Sequence, residues 1–367
     1  MRKPFFLTLC LLIVCSAWAE ELSWKTASPD QEIRFPTDHY AHPGFKTEWW
    51  YFTGNLEAEN GRRYGYQITF FKQGIRPSAY PAVQSQWVRD WFAFAHFAMS
   101  DIGAKEFRHD EKVVRGGFGE AVFPVDGVLV AQIGDWKAER VGEQQWRIIA
   151  NSDKGFAVNF ELNAERPPVL QGERGYSRKG PTPDRASMYY SQTRMKTTGT
   201  LTLAGKKIPV TGLSWMDREW ATNQLDQDQA GWDWFSLQGD DGSDLMVYQI
   251  RKTDGSADPY SKGLWLAADA QSVVLRRDDF VLQPLRTWRT PDKSASYPVE
   301  WKVEIPSRDI AITVRATFDA QELAFDPVHY WEGAVTFTGT REGQPWSGRG
   351  YLEMTGYREA LRQLQSR

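Results

Sequence analysis

Cysteine is nearly missing from this chain. Only two of its 367 residues are Cys, and both, Cys10 and Cys15, sit at the amino terminus. The rest of the sequence is therefore closed to disulfide stapling, thiolate metal sites and a Cys nucleophile. A body of this length does not need staples, because its core is large enough without them. A dominant charge sign is also missing. Lys and Arg number 44 against 47 Asp and Glu, a net charge of −3. That balance excludes a polybasic nucleic-acid binder on bulk charge, leaving only a local patch open. Beyond the first twenty residues no apolar run approaches the ~20 residues a membrane helix requires. The common catalytic signatures are missing too: there is no GxSxG, no HExxH, no P-loop and no dinucleotide fingerprint. Gly212-Leu213-Ser214-Trp215-Met216 fails the first of these, because Met216 stands where the second Gly belongs.

What the chain has in excess is aromatic. Seventeen Trp, 20 Phe and 14 Tyr make up 14% of it. Such residues favour strands and bury large flat surfaces, so the composition points to a β-rich fold, an aromatic-lined cavity, or both.

The first nineteen residues read as a secretory signal. Arg2 and Lys3 give the basic start, Phe5 to Val14 the short apolar core, and Ala17-Trp18-Ala19 the small-x-small site. Cleavage is expected after Ala19. A lipid anchor at Cys15 needs a small residue before it, and Val14 occupies that place. Without Arg2 and Lys3 the processed chain carries 42 basic and 47 acidic residues, net −5. A periplasmic or secreted location, with no integral membrane segment after cleavage, is the expectation.

Downstream, period-two alternation and NG- or DG-type turns recur. Trp49–Leu56 and Tyr64–Phe71 flank Asn60-Gly61 as a hairpin, and Trp91–Met99 has strand length. Phe156–Leu162, Thr198–Leu203, Trp232–Gln238, Leu245–Arg251, Tyr297–Ile305, Ala334–Thr338 and Gly350–Gly356 read likewise. Tyr357–Gln365 alone has helical composition. The pattern predicts an all-β sandwich or barrel with a short C-terminal helix. Residues 165–185, rich in Pro and Gly, form the longest stretch without strand character, the place for a functional loop. An internal repeat also stands out. Trp49-Trp50-Tyr51-Phe52, Asn60-Gly61 and Tyr66-Gln67-Ile68 are echoed by Trp232-Asp233-Trp234-Phe235, Asp241-Gly242 and Tyr248-Gln249-Ile250.

Four places carry chemistry. Glu48 precedes three aromatics, and on a strand it shares a face with Trp50 while Trp49 and Tyr51 share the other. Among indoles its carboxyl is a candidate general acid; beside an Arg it is an ion pair. Asp217 and Glu219, two apart, project the same way from a strand, and a close carboxyl pair splits its pKa values. Arg218 is an alternative partner for either. Asp233 lies opposite Trp232 and Trp234, whose shared face is a ligand platform if open and core if closed. His96 shares an apolar face with Phe92, Phe94 and Ala98, the usual setting of a hydrogen-bonded core His. His39 and His42 have no evident third ligand, so no metal site is expected.

These segments together resemble one family. His42–Gly54, Phe94–Asp101, Ser187–Arg194, Gly212–Trp220, Gly231–Gly242, Tyr330–Gly339 and Gly350–Tyr357 are similar to the two-domain lipocalin-like proteins that include carotenoid 1,2-hydratase and the secreted AttH proteins. The resemblance covers most of the chain. It implies two calycin-like β-barrels packed together with a pocket at or between them, and no cofactor. It divides the chain into residues 20–222 and 223–367 after the signal. Members of the family include a hydratase of polyene ends, and distant fungal relatives promote polyene cyclisations. In the hydratases a His stands between aromatics where this chain has Asp233, which weakens hydratase activity for this chain.

The reading that follows is a protein binding a small apolar ligand (lipid, isoprenoid or polyene) in an aromatic pocket. The alternative is a hydro-lyase or isomerase in which Glu48, Asp217, Glu219 or Asp233 is the acid. Trp50, His96, Tyr190, Arg194, Trp220, Trp232 and Trp234 are the expected ligand contacts. A carbohydrate-binding β-protein with exposed indoles is the third reading.

Overall fold

The computed structural model describes residues 23–77, 90–116, 119–326 and 328–361. The signal, with its site after Ala19, lies outside the described residues. Strands dominate and fall into two sheets. The first holds thirteen strands among the described residues and runs from Thr47 to Ala221; the second holds ten and runs from Gln229 to Thr355.

Both sheets are built to one plan. In the first, the opening strand Thr47–Ala58 pairs with the next, Arg63–Gly74, and on its other side with the closing strand Lys206–Ala221. In the second, Gln229–Gly239 pairs with Asp244–Lys252 and with the closing strand Gln344–Thr355. Each sheet thus sets its closing strand beside its first and curves into a lipocalin-like, barrel-like form, as the sequence predicts; among the described residues its edges are Glu106–Arg115 and Ala121–Val122 in the first and Ser272–Arg276 and Val281–Arg289 in the second. The repeat is faithful in its first strands: Phe52 and Phe235 both point into their barrels, while Tyr51 and Trp234 both point out. Its second strands differ, since Tyr66 and Ile68 face the first interior while Tyr248 and Ile250 face outward.

Alternation sorts the aromatics into separate cores. Trp50, Phe52, Tyr66, Phe70, Trp136, Trp146 and Phe160 fill the first barrel. Phe235, Tyr297, Trp301, Trp331 and Phe337 fill the second. Each such buried side chain contributes roughly 1.5–3 kcal/mol. The outward residues of the facing strands, among them Tyr51, Tyr189, Trp215, Trp234, Tyr248 and Tyr351, make a third cluster between the barrels.

Polar bonds fix the barrels to one another. Arg194 reaches Asp244 at 2.7 Å, Gln238 donates to the Thr193 carbonyl at 2.7 Å, and Asn55 donates to the Gly350 carbonyl at 3.1 Å. The barrels approach closely at Gly65, where a Cβ would stand 2.7 Å from the Tyr351 hydroxyl and 2.9 Å from the Ala334 methyl. The expected C-terminal helix is not formed over its described part. Tyr357–Leu361 runs as bend and coil, because Tyr357 turns in to donate to Asp233 and Leu361 docks on the interbarrel cluster. Among the described residues no helix is long and apolar enough to cross a membrane.

Candidate functional site

Where the two outer faces do not quite meet, they enclose a cavity of about 650 Å³. Its walls are largely aromatic: Trp49, Tyr51, Phe71 and Phe94 from the first barrel, Trp232, Trp234 and Tyr248 from the second. That size and character suit a small apolar molecule with a few fixed polar contacts. The cavity's ionisable groups are Asp217, Glu219, Lys179, His96 and Glu353, with Glu111 and Asp326 also on the lining.

Asp217 owes its place to register. It lies on the closing strand of the first barrel directly opposite Tyr51 on one side and Ser191 on the other. Three donors converge on it: Tyr189 Oη on Oδ2 at 2.5 Å, and Ser191 Oγ and Trp215 Nε1 on Oδ1 at 2.5 and 2.7 Å. The second barrel joins the chain through Trp234, whose indole N–H donates to Tyr189 at 3.1 Å. No cation pairs with Asp217 among the described residues. Burial therefore dominates and pushes its pKa up to about 7 against the three hydrogen bonds.

Glu219, two residues on, faces the same way as expected and behaves differently. Lys179 Nζ stands 3.1 Å from it and also donates to Ser177 at 3.0 Å. The ammonium lies over the Tyr248 ring at 4.4 Å. Burial would lower the Lys179 pKa, but Glu219 and Tyr248 hold it raised, so Lys179 stays an ammonium. Lys179 comes from the Pro- and Gly-rich stretch that the sequence marks as a functional loop. His96 accepts from or donates to Tyr330 at 2.7 Å among Phe71, Phe94 and Phe325. Burial lowers its pKa to about 3, so it is a neutral wall residue.

Six of the nominated residues lie elsewhere, and strand alternation explains most of them. Glu48 and Trp50 take the inward face that Trp49 and Tyr51 leave. Glu48 pairs with Arg218 at 2.5 Å and Lys72 at 2.8 Å and accepts the His42 backbone N–H at 3.0 Å. Burial alone would raise its pKa, but Arg218, His42 and Lys72 hold it well below the usual carboxylate range. It is no general acid. Trp50 and Trp220 sandwich the Arg218 guanidinium, at 3.8 and 5.1 Å, and Tyr190 bonds to His39 at 2.6 Å inside the same barrel. Asp233 points into the second barrel, paired with Arg251 at 2.6 Å. Arg194 is spent on Asp244. Asp217, Glu219, His96, Trp232 and Trp234 are the nominated residues that the structure brings together.

Sequence reasoning missed Glu353 and Glu332. Glu353 lies opposite Trp234, accepts the Trp232 indole N–H at 2.5 Å, and is pushed by burial up to about 7. Glu332 stands directly across from Glu353 on the neighbouring strand, buried, with its pKa raised well above the usual range by burial and by Glu353. A signal existed: each is a lone acid inside an otherwise apolar strand segment, Trp331-Glu332-Gly333 and Leu352-Glu353-Met354.

Two antiparallel barrel-like sheets with an aromatic, carboxyl-bearing cavity between them define a double-barrel, lipocalin-like protein. The AttH-like family model matches residues 26–357, and the chain belongs to that family. A crystal structure of an AttH-type protein from Nitrosomonas europaea is 38% identical, covers 91% of this chain and 99% of its own, and superposes with a TM-score of 0.80. Kievitone hydratase from Nectria haematococca shares the fold at 17% identity, with 92% and 97% coverage and a TM-score of 0.71. The dehydratase asqC of Emericella nidulans is 27% identical over 211 residues, 54% of this chain and 58% of that protein's own length.

Proposed function

We propose that this protein binds a neutral apolar molecule between its barrels and adds water to, or removes water from, a carbon–carbon bond of it, with Asp217 exchanging a proton. One observation carries the reading: Asp217 is a buried carboxyl without a cation, titrating near pH 7, on the wall of an aromatic cavity. A group in that state gives and takes protons at neutral pH. The indoles of Trp49, Trp232 and Trp234 offer π-faces to a cationic intermediate. The named activities of two relatives, a hydratase and a dehydratase, accord with this chemistry.

The amino-terminal segment supports export, with the ligand met outside the cytoplasm; a protein recovered from culture with Glu20 as its first residue would bear this out. The activity is tested by incubating the protein with a lipid extract of its own envelope in heavy-oxygen water. Label should enter a lipid with the wild type and not with Asp217→Asn, assayed at a temperature well below the melting transition of both proteins. Equal labelling by both proteins would contradict the role of Asp217.

A further inference from the structure

Resting on that reading, we infer that the cavity holds two carboxyl centres with opposite tasks: Glu353, backed by Glu332, is the proton donor, and Asp217 is the proton acceptor.

Hydrogen-bond direction separates them. Every polar contact of Asp217 is a donor: Tyr189, Ser191 and Trp215 all aim hydrogens at its two oxygens. Tyr189 has no freedom to reverse, because it accepts the Trp234 N–H and so turns its own hydrogen to Asp217. Such a shell stabilises the carboxylate over the acid. The second barrel supplies the opposite setting. Glu353 receives one donor, Trp232. Glu332 receives none of normal geometry, although it is 1% exposed; both its oxygens and the Tyr51 hydroxyl that faces it lack a completed hydrogen bond. Two buried carboxyls directly opposite on paired strands cannot both ionise without a cation, and none is near. The proton shared by this pair is the one the cavity can give away. Glu353 lines the cavity and Tyr51 lines it beside Glu332, so the pair opens onto the ligand. The groups facing the pair are Tyr51 from the first barrel's opening strand, Asp217 and Glu219 from its closing strand, and Tyr330 and Tyr351 from the second barrel. None is a cation.

The division of labour balances for hydration. The Glu353 O–H proton passes to one alkene carbon as the π pair forms the new C–H bond. The other carbon becomes cationic between the indole faces. A water oxygen forms the C–O bond there, and the surplus water proton passes to the Asp217 carboxylate. Dehydration is the reverse, and exchange with solvent restores both groups. The substrate class is correspondingly neutral, an alkene or an alcohol.

The ordering is readable without ligand or turnover. Full-length protein is labelled with carbon-13 at the side-chain carboxyls of Asp in one sample and Glu in another, and titrated by NMR. Asp217→Asn and Glu353→Gln identify the resonances. The inference expects the Asp217 signal to titrate at lower pH than the Glu353 signal, and Asp217→Asn to shift the Glu353 midpoint downward by removing the charge that Asp217 carries while Glu353 ionises. An Asp217 midpoint above that of Glu353, or no Glu signal titrating near neutrality, overturns it. Because this reads the empty protein, correct ordering without heavy-oxygen labelling would sink the proposed reaction alone. Labelling with reversed ordering would sink only the assignment of roles.

Discussion

The Tyr189 hydroxyl donates to Asp217 at 2.5 Å while accepting the Trp234 indole N–H at 3.1 Å, so one hydrogen-bond chain crosses from the second barrel to the carboxyl of the first. The orientation of Tyr189, and with it the charge preference of Asp217, depends on both barrels being docked. A hydrogen bond to a charged group contributes about 1.5–3 kcal/mol. Tyr189→Phe should therefore raise the Asp217 midpoint by about one pH unit or more. An NMR titration of Asp-labelled protein checks this; an unmoved midpoint would remove Tyr189 from the account.

Stability should carry the same signature. Asp217 titrates near 7 when folded and near 4 when unfolded, so the folded state binds the extra proton between those values. Stability from this group is full below about 4 and falls as pH rises to 7, by up to about 4 kcal/mol. Asp217→Asn does not ionise and escapes the fall. The melting temperature of the variant minus that of the wild type should rise from pH 5 to pH 8. His39 and His96, both lowered to about 3, are common to the two proteins and cancel in the difference. A pH-independent difference would mean that Asp217 is already ionised at pH 5.

Glu48 predicts the contrasting behaviour. Removing its charge leaves Arg218, which is fully buried, without its carboxylate. Glu48→Gln should cost about 3–5 kcal/mol of stability, measured by urea unfolding. Ligand affinity of the folded fraction should not change. Full stability with lost binding would return Glu48 to the site.

Charge at the cavity selects the ligand. Lys179 is the one cation among the described lining residues, apart from the neutral His96, and Glu219 already occupies it. A free carboxylate entering beside Asp217 and Glu353 would meet like charge. Farnesol should quench the indole fluorescence of Trp49, Trp232 and Trp234 and saturate; dodecanoate should bind at least tenfold more weakly at pH 8. Tighter binding of dodecanoate would assign the cavity to fatty acids.

The barrels were legible in the sequence because alternation and tight turns are local signals. His42–Gly54 and Gly212–Trp220 even declared which residues share a face. They did not declare which face looks inward. Both faces of Thr47–Tyr51 are aromatic, since one fills a barrel and the other fills the seam between barrels, so hydrophobicity alone did not choose between Glu48 and Tyr51. Arg218, which fixes the answer by capturing Glu48, is 170 residues away. Glu332 and Glu353 were obscured for a related reason. Each is one acid in a well-formed strand, and their chemistry arises only from pairing with one another and from burial by the opposite barrel.

The most direct test is native mass spectrometry of the protein and of Asp217→Asn, both purified from the producing cell. The account predicts a co-purifying neutral lipid on each. The two adducts should differ in mass by one water, because the variant retains what the wild type converts, and Trp234→Ala should weaken retention. Identical adducts on the two proteins, or none on either, would contradict it.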